Sequence, residues 1–151
     1  MSNNNNVVFV RLSSHDDSQT IALHREMSQR EALDYRGFIP EAEASSRTVG
    51  FVAGVGATVF GSLELSQNST DSWTITHVFV EKEAREIGIG DALVQNALAF
   101  LEDEKATWIA GKAQPGDRAL KNLFERHGLV AQTIIVGRPL NGLSTEADAS
   151  Q

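Results

Sequence analysis

The segment VFVEKEAREIGIGDALVQNAL, residues 78–98, is the part of this chain that most constrains its fold. It begins with a short apolar run, continues through a charged loop, and places Gly88 and Gly90 directly before a helical pattern. A helix N-terminus has unpaired N–H groups that attract anions, and glycines allow an anion to approach them closely. The segment therefore predicts a strand, a loop that holds a phosphate-like group, and a helix. A simple glycine-rich turn is the alternative.

The rest of the chain has the pattern of one α/β domain. Its 151 residues suit a single core, and we expect that domain at 7–140, between flexible polar termini at 1–6 and 141–151. Apolar periodicity predicts the order β-α-(α)-β-β-β-α-β-α-β, with Trp73 to Val80 as a strong strand and Leu129 to Arg138 as the last one. The expected fold is a mixed sheet with helices on both faces.

The composition of the chain argues against several classes of function. The chain has no cysteine, so it has no disulfide, thiolate metal site or cysteine nucleophile, and its four histidines lack metal-ligand spacing. A formal charge of −7 disfavours a nucleic-acid binder. No apolar segment is long enough to span a bilayer, and the first residues lack the pattern of a signal peptide. We expect a cytoplasmic protein that binds neither nucleic acid nor membrane and needs no metal.

Two common phosphate-binding motifs do not fit the glycine segment. A dinucleotide fold would need a third glycine where Leu93 stands, and a P-loop would need a lysine and a hydroxyl that are missing here. The pattern Arg85-x-x-Gly88-x-Gly90 after an apolar strand does fit another loop. It resembles the acyl-coenzyme A loop, [R/Q]-x-x-G-x-[G/A], of the GNAT superfamily of N-acetyltransferases.

A second segment strengthens this resemblance. RALKNLFERHGL, residues 118–129, is similar to the family pattern A-x-x-L-Y-E-x-x-G-F, with Phe124 and Leu129 in place of the usual Tyr and Phe. The resemblance covers under half of the chain, from about Thr74 to Arg138. The resemblance implies a GNAT-like α/β fold, in which a mixed central sheet contains a splayed strand pair and is flanked by helices.

The resemblance also implies a binding site for acetyl-CoA. Backbone groups at the end of the strand would hold the pantetheine arm and polarise the thioester carbonyl, and main-chain N–H groups of the loop would hold the pyrophosphate. Glu86 departs from the family, because a carboxylate in this loop opposes an anion. The implied cofactor-binding residues are Val78, Phe79, Val80, Arg85, Glu86, Ile87, Gly88, Ile89, Gly90, Asp91 and Phe124.

The implied reaction is direct attack of a primary amine, on a small molecule or a peptide, on the acetyl thioester within a ternary complex. A protonated amine must first lose a proton. Family members often carry a Glu or a His pair for this step, but Thr74 and Thr76 stand at the matching positions. Glu64 and His77 are the remaining candidate bases, although strand alternation would point His77 to the opposite face. A water relay without a dedicated base is an equal alternative.

The missing catalytic groups leave a second function open. Phe124 cannot protonate the leaving thiolate as the family tyrosine does, so the chain could be a coenzyme A-binding module with little catalysis, acting as a sensor or partner domain. A homodimer is also open. Substrate choice would lie with residues 26–48, of which 31–48 are expected to form a short helix and a mobile loop, and with a predicted hairpin from Phe51 to Leu65. The acids of the first segment either attract a cationic substrate or are simply a solvated helix face and loop: Glu26, Glu31, Asp34, Glu41 and Glu43.

Overall fold

The computed structural model describes residues 7–32, 47–138 and 140. The predicted flexible termini, and Asp34, Glu41 and Glu43 of the predicted substrate segment, lie outside the described residues. The strands are β1 (Val8–Leu12), β2 (Thr48–Val55), β3 (Thr58–Ser69), β4 (Ser72–Val80) and β5 (Trp108–Gly111), and the α-helices are α1 (Ser18–Ala32), α2 (Ile89–Asp103) and α3 (Arg118–Arg126).

The five strands form one mixed sheet in the order β1-β2-β3-β4-β5. The first four strands are antiparallel, and β5 joins β4 in parallel after a crossover through α2. Helices cover both faces of this sheet. Alternation along β3 shows this, because buried Leu63 belongs to the core cluster under α2, whereas Ser62 lies 2.8 Å from His24 of α1. The predicted fold class is confirmed.

A β-bulge at Thr76 decides which side chains reach the α1 face. Leu65 pairs with Ile75 but Glu64 pairs with His77, so Thr76 is an extra residue in β4. The bulge shifts the alternation, because Trp73, before it, packs edge-on against Phe100 of α2. His77, after it, lies beside Glu64 on the α1 face. The expectation that alternation turns His77 away was therefore wrong, since a sequence pattern does not reveal a bulge.

β4 and β5 separate after four pairs of residues. The ladder runs from Ser72–Trp108 to Ile75–Gly111, and β5 ends there, two residues before the predicted end. Within the described residues, the edge of β4 from Thr76 to Val80 has no strand beside it on the β5 side. This is the splayed strand pair, and it leaves backbone N–H and C=O groups facing a gap.

The predicted last strand does not form. Residues 129–138 have no regular secondary structure, and their apolar side chains are exposed, including Ile134 and Val136 at 86% each. Strand propensity acts only where a neighbouring strand supplies hydrogen bonds and packing, and no described strand pairs with this segment. No helix in the described part of the chain is long and apolar enough to cross a membrane.

Candidate active site

The splay opens a cleft on the edge of the sheet. The cleft measures about 1720 Å³, well above the roughly 300–1000 Å³ of common small-ligand sites. Residues of β4 and the end of β5 line it, together with parts of α1, α3 and the loop before α2. Its size and its exposed strand edge suit a long ligand lying along β4 beside a second, smaller molecule.

The glycine loop, residues 81–88, connects β4 to α2. It is anchored by the Glu81 N–H, which donates to the Phe60 carbonyl at 2.8 Å. Gly88 precedes α2 with φ of +91°, a conformation that favours glycine, and no atom lies within 4 Å of where its Cβ would be. The helix begins with unpaired N–H groups, so this open space is suited to an anion.

The space beside Gly90 is instead filled by α3. A Cβ at this position would lie 3.4 Å from Cδ2 of Leu123 and 3.9 Å from Cγ2 of Val80. Alanine therefore fits, whereas a large side chain would push α3 away from α2. Gly90 provides close helix packing, and Gly88 provides the open approach to the loop.

Arg85 fastens the glycine loop to the rest of the domain. Its Nε donates to the Val80 carbonyl at 2.7 Å, its Nη2 donates to Glu31 of α1 at 3.0 Å, and its guanidinium lies 5.3 Å from the centre of the Phe79 ring. These contacts hold its charge beside the end of β4. Arg85 thus shapes the loop and contributes positive potential near the cleft.

Two acids lie close to the N-terminus of α2. Asp91 accepts hydrogen bonds from Nε and Nη2 of Arg126, both at 3.1 Å, and Nε2 of His127 lies 2.8 Å from its Oδ1. The hydrogen bonds from Arg126 keep the pKa of Asp91 low against the opposing effect of burial. The negative charge of Asp91 is therefore balanced by residues at the C-terminal end of α3. Glu86 instead is exposed and has φ of +73°, a region that strains any residue but glycine.

Phe124 forms the wall at the end of β5. Its ring is buried, and a Cβ on Gly111 would lie only 2.7 Å from its Cζ. The ring thus packs directly on the glycine backbone at the point where the strands separate. It shapes the cleft but has no hydroxyl with which to protonate a leaving group.

The structure brings the two candidate bases together. Nδ1 of His77 lies 3.2 Å from Oε1 of Glu64, off the line of a hydrogen bond, and both residues line the cleft. Arg25 of α1 donates to both oxygens of Glu64, at 2.8 and 3.0 Å. Burial favours the neutral carboxyl, yet the contacts with His77 and Arg25 outweigh it and lower the pKa of Glu64 to about 2. Glu64 is therefore ionised beside His77.

Three polar residues behind this pair were not predicted from the sequence. Ser62 lies 3.0 Å from Nε2 of His77 and 2.8 Å from Nδ1 of His24, whose Nε2 lies 2.9 Å from Glu81. His24 occupies a helical position that reads as ordinary core, so only its contacts reveal the link. In the described ranges no three His, Asp or Glu residues converge as a metal site.

The family model described as the acetyltransferase (GNAT) family matches residues 11–129. This range includes the glycine loop, the candidate bases and the whole of the second segment, residues 118–129. No match was found among curated protein sequences.

Solved structures with the same fold include several aminoglycoside acetyltransferases. Meta-AAC0020, from an uncultured soil metagenomic sample and solved with trehalose, has a TM-score of 0.66 at 16% identity, covering 90% of this chain and 97% of that chain. AAC(6')-Iy with CoA has a TM-score of 0.67 at 11% identity, covering 89% and 95%. Its complex with the bisubstrate analog CoA-S-monomethyl-acetylneamine gives 0.67 at 12%, covering 89% and 99%. At these identities the likeness establishes the fold.

Proposed function

Because the chain belongs to the GNAT family of acetyltransferases, we propose that it transfers an acetyl group from acetyl-CoA to a primary amine of a small molecule or peptide. One arrangement carries this proposal. The open glycine loop before α2, the paired residues Glu64 and His77, and the unpaired edge of β4 all line the same cleft. A cofactor held at the loop and extended along β4 would bring its thioester close to this pair.

The cofactor would be held mainly by backbone groups. Main-chain N–H groups of residues 86–91 would bind the pyrophosphate at the start of α2, and residues 78–80 would contact the pantetheine arm along the strand edge. The Ile87 side chain is exposed, whereas that of Ile89 is buried, so these two residues too would act on the phosphates through the backbone. Phe124 would close the cleft beside the reacting sulfur.

The chemistry would begin with proton removal from the ammonium group of the substrate. Glu64, fixed by Arg25, would attract that group, and His77 would accept its proton as general base. The amine lone pair then attacks the thioester carbon, the C–N bond forms, and collapse breaks the C–S bond. A thiol has an ordinary pKa of about 8.5, so the CoA thiolate can leave without an acid at Phe124.

An amine of low molecular weight is favoured as the acceptor. Glu64 and Glu31 line the cleft, and their carboxylate oxygens, each already paired with an arginine, would accept hydrogen bonds from an entering ammonium group. Three of the structures with this fold are described as aminoglycoside acetyltransferases or their complexes, which is consistent with amine chemistry. A cytoplasmic location, where acetyl-CoA is available, belongs to the same proposal.

Calorimetric titration with acetyl-CoA tests the cofactor site. Gly88→Trp would fill the open side of the loop, and Gly56→Trp is its matched control, because both glycines have positive φ and open space but Gly56 lies in the β2–β3 turn. We expect micromolar binding to the wild-type protein and to Gly56→Trp, and none to Gly88→Trp. Equal affinities in all three would remove the loop from the cofactor site.

Release of free thiol across a panel of amines then tests catalysis. Turnover with at least one amine supports the transferase. Tight binding of acetyl-CoA without thiol release from any amine would instead support the coenzyme A-binding module, a reading that the missing tyrosine at Phe124 also favours.

A further inference from the structure

Five polar side chains form a continuous chain from the cleft, past His24 of α1, to the start of the glycine loop. Their order is Glu64, His77, Ser62, His24 and Glu81, with successive contacts of 3.2, 3.0, 2.8 and 2.9 Å. The three middle residues are buried, and the side chains of the end carboxylates are 12% and 28% exposed. We call these five residues the polar chain.

Counting hydrogens shows that the polar chain is one proton short. It has four contacts, but the three middle groups in their neutral forms carry one N–H or O–H hydrogen each. Ionised carboxylates at both ends can only accept. Three hydrogens cannot fill four contacts, so the neutral chain leaves one contact without a hydrogen.

The geometry places this gap at the cleft end. Nδ1 of His77 is a buried atom without a hydrogen-bond partner, although Oε1 of Glu64 is 3.2 Å away. The other three contacts are all within hydrogen-bond distance. Glu64 tolerates a missing donor because Arg25 already donates to both of its oxygens. The buried Nδ1 therefore keeps a lone pair 3.2 Å from the carboxylate of Glu64, which lines the cleft.

We propose that His77 and His24, joined through Ser62, act as a single acceptor for the proton released by the substrate amine, with Glu81 fixing the far end. The proposal rests on the proposed function and extends it to three positioning residues, Ser62, His24 and Glu81. The ammonium N–H bond breaks, the proton passes by way of the Glu64 carboxylate, and an N–H bond forms at the buried Nδ1 of His77. All four contacts of the polar chain then contain a hydrogen.

Ser62 allows the two histidines to share the added charge. When Nε2 of His77 passes its hydrogen to Oγ of Ser62, the Ser62 hydrogen passes to Nδ1 of His24. The imidazolium moves from one ring to the other without breaking any contact, and Glu81 stabilises it at the second position. After the product leaves, the proton returns to water through either carboxylate.

The surrounding charges are few and come from each neighbouring element. Arg25 lies on α1, Glu64 on β3 and Glu81 at the start of the glycine loop. Arg85 and Glu31 pair with each other beyond the Phe79 ring, which contacts His24 with ring centroids 5.1 Å apart. Arg25 and Glu64 also pair, so Glu81 is the charge whose change most directly affects the histidines.

Glu81→Gln is the decisive substitution because its amide, unlike the carboxylate, can donate, and the neutral polar chain has a hydrogen in all four contacts only when it does. The amide can donate to Nε2 of His24, which then donates from Nδ1 to Ser62, and Ser62 donates to Nε2 of His77. His77 must then carry its hydrogen on Nδ1, 3.2 Å from Oε1 of Glu64. All contacts are filled in the neutral state, and the lone pair that accepts the proton is lost.

Nitrogen NMR of the histidine rings tests this without any substrate. We expect wild-type His77 and His24 to carry hydrogen on Nε2, and both to switch to Nδ1 in Glu81→Gln. Glu83→Gln, which removes an exposed charge from the same loop, is the matched control and leaves the tautomers unchanged. Unchanged tautomers in Glu81→Gln would overturn the proposal, whether or not the protein is an enzyme.

Kinetics with an accepted amine provide the second readout. General-base catalysis contributes roughly 10²- to 10⁴-fold, so we expect Glu81→Gln to lower kcat on the order of 10- to 100-fold. The affinity for acetyl-CoA should stay within about twofold, since no binding contact is removed. Ser62→Ala, which cuts the polar chain, should remove the effect of Glu81→Gln. Additive losses in the double variant would contradict the coupling.

The two proposals fail in different ways. Loss of the cofactor site would appear as absent acetyl-CoA binding with the histidine tautomers as expected. Failure of the polar chain would appear as intact binding and turnover, with kcat and its pH profile the same in Glu81→Gln as in Glu83→Gln.

Discussion

Arg25 and Glu64 form a two-point contact between α1 and β3, with Nε 2.8 Å from Oε1 and Nη2 3.0 Å from Oε2. A paired guanidinium–carboxylate contact of this kind fixes both charge and orientation. It holds Glu64 ionised at the edge of the cleft and 3.2 Å from His77. The orientation of Glu64, one of the two candidate bases, therefore depends on Arg25, a residue that lies outside the family motifs.

Replacing Arg25 should change the ionisation of Glu64. In Arg25→Ala the carboxylate loses two charge-assisted hydrogen bonds while burial persists, so its pKa should rise from about 2 toward or above the ordinary glutamate value. Carbon NMR titration of the Glu64 carboxyl measures this. Arg30→Ala, which removes an exposed cation paired with Glu26 on the same helix, should leave the Glu64 titration unchanged. An unshifted pKa in Arg25→Ala would contradict the role given to the pair.

Acid should destabilise the fold through the same carboxylate. A pKa lowered from 4.5 to about 2 means that Glu64 stabilises the fold above its ordinary pKa, and that this contribution is lost as pH falls from about 4.5 to 2. Asp17 and Asp91 have lowered pKa values and add to the effect. Glu64→Gln should reduce proton uptake on unfolding by up to about one proton.

Urea unfolding between pH 2 and pH 6 gives the slope of stability against pH that checks this. Glu102→Gln, at an exposed position on α2, serves as the control. If Glu64→Gln and the wild-type protein show the same slope, the folded carboxyl is not held ionised as described.

Glu86 should weaken cofactor binding by its charge and strain the loop by its backbone. Glu86→Gln removes only the charge, and we expect acetyl-CoA to bind about two- to fivefold more tightly at low salt, with the gain reduced at high salt. Glu86→Gly also removes the strain of a left-handed backbone conformation, which costs a non-glycine residue about 1–2 kcal/mol of folding stability. The greater conformational freedom of glycine in the unfolded chain offsets part of that gain in stability. Calorimetry at two salt concentrations separates these effects, and a salt-independent gain in Glu86→Gln would refute the electrostatic account.

Gly111 should not accept even a methyl group. A Cβ there would lie 2.7 and 2.8 Å from two atoms of the buried Phe124 ring, which must move. We expect Gly111→Ala to cost about 1–3 kcal/mol of unfolding free energy, as overpacking usually does. Gly137→Ala is the control, because nothing lies within 4 Å of its Cβ position and its φ is not positive. Equal thermal stability of the two variants would show that the ring yields at no cost.

Some features could be predicted because they depend on local chemistry. The strand Trp73 to Val80 and the helix after Gly88 were both found close to their observed places, since apolar periodicity and glycine placement act over neighbouring residues. The strand predicted at Leu129 to Arg138 failed because pairing depends on a distant partner. The inward position of His77 was missed because a bulge of one residue reverses every side chain after it.

The sequence alone determined the strand, glycine loop and helix that identify the family, because glycine conformation and helix N–H groups are properties of a short segment. It also supplied Glu64 and His77 as separate candidates. Only the tertiary structure decided that they meet, and that Ser62, His24 and Glu81 continue the line behind them. Those contacts join residues as far apart as 24 and 81, and buried polar groups find their partners only when the sheet and α1 pack together.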